Sequence, residues 1–323
     1  MIFDAHGDIW TDITIKREQG EKDIFKKYHL KKYKRGEVTG GIFVIWCDPP
    51  YDKTPKERIF QVIKNISNEI LENQDLFKVI RKYEDLEAVK NNKFTVMIGI
   101  EGLSGIGKDI DMLNQLYMFG ARHGSLTWNE QNELGTGVLG DENRGLTQYG
   151  VKAVKKMNDL GMIVDVSHAN EKTFWDIYEV SDAPIIASHS NCRALCDVPR
   201  NLTDAQIKAI GEKGGVMGLN AFREFVSLDK EKQTLDSLVD HVDHIVELVG
   251  IDHVCFGFDF FDYLQGDTVD SFSEDNSIGI PNFQNISKVQ NLIKALEDRG
   301  YSKEDLEKIK YKNIYRIIKE VLK

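Results

Sequence analysis

The sequence is poor in the features that mark linkers, secreted proteins and membrane proteins. Only six prolines occur among 323 residues, and no serine- and glycine-rich tract is present, so we expect neither a long linker nor a disordered arm. No run reaches the roughly 18–20 apolar residues that a membrane span requires. The amino terminus lacks the basic segment and long apolar segment of a signal peptide. These absences predict a cytoplasmic protein with no membrane partner.

The sequence also lacks a net positive charge and contains few cysteines. The formal net charge of −10 makes nucleic acid or an anionic membrane an unsuitable partner, because both bind basic surfaces. Cys192 and Cys196 are four residues apart, yet no second cysteine pair accompanies them, so a structural zinc site has weak support. We predict that these two and the remaining cysteines, Cys47 and Cys255, are reduced thiols.

What the chain does contain is a regular alternation of apolar, β-branched runs with segments of helical periodicity. This alternation predicts a parallel sheet covered by helices, within an α/β fold. Eight runs favour a closed (β/α)8 barrel of the TIM type over an open doubly wound sheet. The open sheet would also need a G-x-G-x-x-G turn after its first strand, where this chain reads HGDIWTD. The predicted strands are 1–6, 40–47, 94–101, 123–128, 161–167, 184–189, 214–220 and 253–259.

Three segments fall outside the repeated strand–helix units. Residues 15–38 are rich in Lys, Glu and Tyr, and we expect an exposed insertion after the first strand. Residues 262–282 have the composition of an active-site loop. Lys303 to Leu322 carries apolar residues at helical spacing and predicts a closing helix. The whole chain, 1–323, is expected to form one barrel domain.

Five of the predicted strands end in acidic or imidazole side chains. Because the carboxyl ends of the strands in a parallel barrel meet at one edge, we expect these side chains to converge. His6 and Asp8 are two residues apart and would share a face of the first strand. Glu101 ends a run too apolar to bury an unpaired carboxylate. The full set is His6, Asp8, Glu101, His168, His189 and Asp259.

Taken singly, each of these residues has a structural interpretation, such as a core histidine or an ion-paired glutamate. Together, five of them supply enough nitrogen and oxygen ligands for two zinc ions with a bridging water or hydroxide. Asp259 would then carry the proton from the attacking water to the leaving amine. A further metal ligand or a loop cap stays open as its alternative. For the other histidines we expect structural or solvent roles: His29, His123, His241, His244 and His253.

Four motifs occur in order along the chain: DAHGD at 4–8, GIEG at 99–102, DVSH at 165–168 and ASHSNCRAL at 187–195. This ordered set resembles the renal-type (membrane) dipeptidase family, whose members are dinuclear zinc peptidases with an amidohydrolase-type barrel. The resemblance runs from residue 1 to about 262.

The resemblance implies a role for each strand-end residue. His6 and Asp8 would hold one zinc ion, His168 and His189 the other, and Glu101 would bridge the two. Asp259 would be the catalytic acid and base. The segment RNLTD at 200–204 resembles the one that supplies an arginine for the substrate carboxylate. Arg200 would take that role, and its planar fork suits a carboxylate; a surface arginine is the alternative.

The chain departs from the family pattern at two places. Relatives tend to carry a histidine after the fourth strand that contacts the substrate carbonyl, whereas this chain has Trp128 followed by Asn129. An indole cannot accept a hydrogen bond, so Asn129 is the candidate for a replacement donor. Asp262 is shifted by one position from the family's D-F-D-G and is left out of the site.

These observations predict a zinc dipeptidase that hydrolyses free dipeptides by attack of a metal-bridging hydroxide on the peptide carbonyl. Trp128 keeps open a metal-dependent amidohydrolase acting on a cyclic amide, a lactam or an N-acyl amino acid. A metal-binding protein without catalysis is a third hypothesis. The expected partner is a small-molecule dipeptide, and a homodimer is implied by family analogy alone.

Overall fold

The computed structural model describes residues 1–271 and 279–323, and within them nine parallel strands form one sheet. The strand order is β3-β4-β2-β1-β9-β8-β7-β6-β5. The strands are β1 (Ile2–Gly7), β2 (Val38–Trp46), β3 (Phe77–Val79), β4 (Phe94–Glu101), β5 (His123–Ser125), β6 (Ile163–Asp165), β7 (Ile185–Ala187), β8 (Val216–Leu219) and β9 (Val254–Phe256).

The sheet closes on itself between β4 and β5. Ile98 and Ala121 form a parallel bridge there, and the N–H of Arg122 donates to the Ile98 carbonyl at 3.0 Å. The short strand β3 pairs with the first three residues of β4, so it occupies the part of that edge before the closure begins. The predicted (β/α)8 barrel is therefore confirmed, with β3 as a ninth strand that sequence periodicity did not indicate.

Helices follow the strands and cover the outside of the barrel. Several begin at a residue whose side chain caps the first turn: Thr203 accepts from the N–H of Gln206, whose side chain accepts from Thr203 in return. The helices are α1 (Ile9–Glu18), α2 (Leu30–Gly36), α3 (Pro55–Glu72), α4 (Met112–Phe119), α5 (Gln148–Leu160), α6 (Glu171–Val180), α7 (Asp204–Glu212), α8 (Arg223–Val226), α9 (Leu235–Val249), α10 (Asp267–Asp270), α11 (Val289–Arg299), α12 (Lys303–Glu307) and α13 (Asn313–Val321). In the described ranges no helix is both long enough and apolar enough to cross a bilayer.

The predicted closing helix is present as α12, a π-helical turn over Lys308–Lys312, and α13. Ile314, Ile317, Ile318 and Val321 of α13 are buried in one cluster with residues near the strand starts, among them Phe3. The helix thus covers the amino-terminal mouth of the barrel. The carboxyl-terminal mouth is left for the polar strand ends.

The insertion after β1 is present, but our expectation that it is exposed is wrong for its aromatic face. Ile24, Phe25 and Tyr33 are buried, and the Phe25 ring lies 4.9 Å from that of Phe77. The segment's lysines dominate its composition, and composition hides the spacing of the few aromatic residues that pack against the sheet.

Five predicted strands extend too far at their carboxyl ends. β5, β6, β7 and β9 have three residues each and β8 has four. The apolar pattern continues past these strands, but the backbone there leaves the sheet and turns into the loops that carry polar side chains. Of the predicted loop 262–282, residues 272–278 lie outside the described part, and 267–270 form α10.

Candidate metal centre and active site

The six polar residues predicted at strand ends come together at the carboxyl-terminal mouth of the barrel. Each follows or ends a different inner strand, except that β1 supplies two. The five predicted ligands are all buried, with exposed fractions of 8% or less: His6, Asp8, Glu101, His168 and His189.

A bulge in β1 determines where His6 lies. Asp4 pairs with Gly41 and Gly7 pairs with Phe43, so three steps along β1 match two steps along β2. The extra residue falls in the stretch that contains His6. Such a bulge rotates the strand locally and redirects the side chains within it.

Two of the site residues have left-handed backbone conformations that residues other than glycine seldom adopt. His168 has φ +67° and Asp259 has φ +58°. Each lies three residues after its strand ends, where the chain turns sharply over the barrel mouth. Conformations of this kind cost about 1 kcal/mol or more and concentrate at functional sites.

Glu101 joins two imidazoles into a tight group. Its Oε1 atom lies 2.8 Å from His168 Nε2 and 3.3 Å from His189 Nε2, and the two Nε2 atoms are 2.9 Å apart. Two nitrogens and a carboxylate oxygen at such separations form a set of donors that a divalent cation can bind.

His6, Asp8 and Asp259 form a second group beside the first. His6 Nε2 lies 4.0 Å from Asp8 Oδ2 and 3.8 Å from Asp259 Oδ1, and it is 3.6 Å from Glu101 Oε1. Among the described residues, the buried His6 Nε2 and Asp8 Oδ1 have no hydrogen-bond partner. Buried polar atoms of this kind need a partner, and a cation between them supplies one.

The charges of these groups are strongly perturbed. Burial together with the carboxylate of Glu101 raises the pKa of Asp8 well above its ordinary value. Burial opposes a charged imidazole at His6, but the surrounding carboxylates, Glu101 first, outweigh it and raise the pKa of His6 to about 10. A divalent cation bound among these carboxylates would relieve their mutual repulsion.

The other two histidines are neutral near pH 7, as metal ligands must be. Burial lowers the pKa of His168 to about 4, and it holds the pKa of His189 well below its ordinary value. Burial alone would raise the pKa of Glu101, but the charge of His6 and the close contact with the His168 imidazole hold it well below the ordinary range. Glu101 is therefore ionised.

Asn129 was predicted to contact the substrate, and the structure places its side-chain oxygen 2.7 Å from His168 Nδ1. This contact orients the imidazole so that Nε2 faces Glu101. The predicted residue is therefore in the site, but its amide oxygen contacts His168, one of the predicted ligands, instead of being free for substrate.

Sequence reasoning missed two residues, Ser188 and Asp165, that form a hydrogen-bonded chain to the Nδ1 side of the His189 ring. Ser188 Oγ lies 2.8 Å from His189 Nδ1, and Asp165 accepts a hydrogen bond from that hydroxyl. Asp165 is an acidic residue within an apolar strand, and this position alone could have marked it in the sequence as a candidate for the site. His123, expected to be structural, lies with its Nε2 atom 3.0 Å from Asp165 Oδ2.

A cavity of about 420 Å³ opens above the polar groups. Arg200 lies in its wall: its guanidinium donates to the His189 carbonyl at 3.0 Å and to Ser190 Oγ at 3.2 Å. Its buried Nε has no partner among the described residues. Trp128 lines another part of the wall, with its ring 5.2 Å from that of Trp46 and 6.0 Å from that of His168.

The remaining histidines lie away from this cavity. His241 is buried between the Cys192 N–H and the Val226 carbonyl, and His244 Nε2 is 2.8 Å from Asp204. The others contact the groups that surround them: His29 contacts Asp12, and His253 contacts the Gly215 carbonyl.

Several known proteins are similar to this chain over most of its length. A family model described as "Membrane dipeptidase (Peptidase family M19)" matches residues 1–323. The "uncharacterized protein in pqqA 5′ region" of Klebsiella pneumoniae is 32% identical over 277 residues, which cover 83% of this chain and 97% of that protein. An "uncharacterized dipeptidase" of Schizosaccharomyces pombe is 31% identical over 255 residues, which cover 77% of this chain and 58% of its own length.

One solved structure is similar over nearly its full length. It is a metallo peptidase from Rhodobacter sphaeroides, with a TM-score of 0.87 and 25% identity, and the alignment covers 99% of each chain. That protein was crystallised with a phosphinate mimic of the dipeptide L-Ala-D-Ala.

Proposed function

Since the chain belongs to the membrane dipeptidase family, peptidase family M19, we propose that it is a dinuclear zinc dipeptidase that hydrolyses free dipeptides. The observation that carries the proposal is a pair of adjacent donor groups, with Arg200 in the wall of the same cavity: Glu101, His168 and His189 form one group, and His6, Asp8 and Asp259 form the other. The dipeptide mimic bound by the Rhodobacter sphaeroides relative supports the substrate class.

The donor set suits zinc because it combines imidazole nitrogens with carboxylate oxygens. His6 and Asp8 would hold one ion and His168 and His189 the other, with Glu101 shared. Zinc ions, when bound, polarise a carbonyl and lower the pKa of water toward neutrality. With that chemistry supplied, the chain needs no serine or cysteine nucleophile.

Asp259 would hold and move the proton. Its side chain is 24% exposed and lines the cavity, and its Oδ2 accepts from Asn220 Nδ2 at 3.2 Å. Burial and the nearby Glu101 raise its pKa above the ordinary value, although His6 and Arg200 oppose this. A carboxyl of raised pKa is suited to taking a proton and then passing it to a leaving amine.

Arg200 would bind the free carboxylate at the end of a dipeptide. Its contacts with the His189 carbonyl and Ser190 hold the guanidinium against the cavity wall. Burial lowers its pKa, but the group stays cationic at neutral pH. A cation fixed in this way favours short substrates with a terminal carboxylate close to the scissile bond.

The test is hydrolysis of a dipeptide panel before chelation, after chelation and after Zn²⁺ is restored. We expect turnover to disappear and return. Asp259→Asn should lower kcat by about 10²- to 10⁴-fold with zinc content unchanged. Turnover that survives both metal removal and Asp259→Asn would overturn the mechanism; loss of zinc in Asp259→Asn would make this residue a ligand instead.

Arg200→Met tests the carboxylate site with a matched substrate pair. The variant keeps about the length of the aliphatic stem and removes the charged guanidinium. It should lower kcat/KM for a dipeptide by about 10- to 100-fold. The kcat/KM for the carboxyl-terminal amide of the same dipeptide should change little. Equal losses on both substrates would show that Arg200 does not read the carboxylate.

The aromatic wall favours a second candidate substrate class. Trp46 and Trp128 present apolar surface at the cavity, which suits a cyclic amide, a lactam or an N-acyl amino acid. Adding N-acetylated amino acids and a lactam to the panel separates the two. Turnover of these compounds with none of the free dipeptides would favour the alternative.

A further inference from the structure

We propose that Ser188, held by the buried carboxylate of Asp165, is a positioning residue shared by both halves of the metal centre. It would fix the imidazoles of His6 and His189 in the tautomer that leaves each Nε2 free to bind metal. This inference rests on the zinc site of the proposed function.

The hydroxyl of Ser188 lies at the edge of both rings. Its Oγ is 2.8 Å from His189 Nδ1 and 3.4 Å from His6 Nδ1. The two rings are stacked, with centroids 3.6 Å apart and planes inclined by 27°, so that one atom can reach both Nδ1 positions. Ser188 has no exposed surface, and this contact is therefore shielded from solvent.

The direction of each hydrogen bond follows from the partners of Asp165. Its Oδ1 accepts two backbone N–H groups, from Ser167 at 2.9 Å and Ser188 at 3.0 Å. Its Oδ2 accepts from the Ser188 hydroxyl and lies 3.0 Å from His123 Nε2. An ionised carboxylate can only accept hydrogen bonds, so the single hydroxyl proton of Ser188 must point toward Asp165 Oδ2.

The serine oxygen then has only lone pairs to offer the imidazoles. His189 and His6 must each donate from Nδ1. An imidazole that is neutral, as metal binding requires, then presents an unprotonated Nε2 toward the carboxylates of the site. Hydrogen bonds to the second ring nitrogen commonly fix the tautomer of a metal-binding histidine. Here one hydroxyl does this for one histidine of each proposed zinc pair.

His168 is supported separately, through Asn129. Loss of Ser188 and loss of Asn129 should therefore affect zinc binding differently. Loss of Ser188 should weaken both zinc ions, and the one held by His189 more strongly because the contact is shorter. Loss of Asn129 should weaken only the zinc ion held by His168.

The backbone around Ser188 is fixed independently of its hydroxyl. A Cβ atom added at Gly218 or Gly257 would overlap the Ser188 carbonyl oxygen, so the backbone segments are in close contact there. Ser188→Ala removes the hydroxyl while leaving this packing in place. Ser190 is the matched control, since it is equally buried and its hydroxyl faces Arg200 instead of a ligand.

The experiment measures zinc affinity by competition with a chromogenic chelator, using the full chain stripped of metal. Ser188→Ala should weaken both zinc ions, by about 10- to 100-fold for the ion held by His189. Ser190→Ala should bind zinc as the unsubstituted chain does. Unchanged affinities in Ser188→Ala, or equal losses in Ser190→Ala, would overturn the proposal.

Asp165→Asn gives a second and sharper test. The amide oxygen must stay at the position that accepts two backbone N–H groups, so the NH2 group faces Ser188. It would donate to Oγ and turn the serine proton toward His189, favouring the wrong tautomer. Zinc affinity should therefore fall further than in Ser188→Ala; a smaller loss would contradict the assigned direction.

A measurement on the unsubstituted chain covers the case in which the variants fail to fold. Nitrogen NMR of the metal-loaded protein reports which imidazole nitrogen carries the proton. We expect the proton on Nδ1 of both His6 and His189, and a proton on Nε2 of either would overturn the proposal. Neither measurement depends on peptide hydrolysis, so a failure of the substrate assignment would be seen separately.

Discussion

The Nε2 atoms of His168 and His189 lie 2.9 Å apart, and both face the same oxygen of Glu101. Neither imidazole is protonated near pH 7, because burial lowers the pKa of each. Two lone pairs directed at one point beside an ionised carboxylate repel each other unless a cation lies between them. A cation bound beside Glu101 would remove this repulsion, so we expect the carboxylate of Glu101 to be essential for metal binding.

Glu101→Gln should remove most of the bound zinc. The amide has the shape of the carboxylate but not its charge, and it cannot bridge two cations as strongly. We expect about two zinc ions per chain for the unsubstituted protein and fewer than one for the variant, measured by elemental analysis after dialysis. The exposed Glu84→Gln is the control; two retained ions in Glu101→Gln would rule out a bridging role.

Asn129→Leu separates ligand positioning from substrate contact. Since the Asn129 amide oxygen accepts from His168 Nδ1, its loss should weaken one zinc ion by about tenfold. With zinc in excess, KM for a dipeptide should stay close to that of the unsubstituted protein. A raised KM with unchanged zinc affinity would instead support the substrate contact that family resemblance implies.

Trp128→Ala should affect substrates according to the size of their apolar side chains. The indole forms cavity wall together with Trp46, and burial of an aromatic surface contributes about 1.5–3 kcal/mol. We expect KM to rise about tenfold or more for a dipeptide with a Leu or Phe side chain, and little for glycylglycine. Steady-state kinetics on both peptides measure this, and equal changes would show that the indole does not contact the side chain.

The stability contribution of Asp85 should depend on pH. Burial alone would raise its pKa, but hydrogen bonds from Lys78 and from the N–H groups of Arg81 and Lys82 hold the pKa below its ordinary value. A depressed carboxyl pKa stabilises the fold above the unfolded-state value and loses that effect as pH falls through the folded-state value.

Asp85→Asn should therefore lower the free energy of unfolding by about 1 kcal/mol at pH 7, a magnitude typical of a helix cap. The difference from the unsubstituted protein should shrink as pH falls below 4. Urea unfolding at both pH values measures it, with the exposed Glu84→Gln as the control. A difference that is constant with pH would show that the charge is not the source.

Ile317→Ala should lower stability without changing catalysis. The side chain is fully buried where α13 closes the amino-terminal mouth, on the opposite side of the barrel from the cavity. Truncation there leaves a void and should cost about 2–5 kcal/mol. Chemical unfolding and kcat on the same preparation test both claims. Glu320→Ala, on the exposed face of the helix, should change stability by less than about 0.5 kcal/mol.

The sequence predicted the architecture well because two simple periodicities govern it. Apolar runs of strand length identified all eight barrel strands, and the positions where polar residues interrupt them identified the barrel mouth. The short strand β3 was missed because Phe77–Val79 carries Lys78 and is too brief to show a pattern. Strand ends were extended too far because His168 and Asp259 follow turns that apolar periodicity cannot represent.

Within the site, the residues with strong chemistry were predictable and those that support them were not. A lone serine such as Ser188 has no sequence signal, because its role depends on two histidines brought together from distant strands. Asn129 was noticed, but its contact with His168 depends on how the loop after β5 folds back. Hydrogen-bond geometry of this kind arises only when the barrel has closed.

The seam between β4 and β5 has a consequence for the centre it adjoins. Ile98 and Ala121 form one bridge there, and beyond it the Gly102 N–H donates to Ser125 Oγ at 3.0 Å. Glu101 lies between these two contacts, at the end of β4. Opening the seam would therefore displace the carboxylate that lies against both donor groups, so closure of the barrel and the geometry of the site are mechanically linked. A substitution that weakens this seam should therefore weaken metal binding, even when it touches none of the proposed ligands.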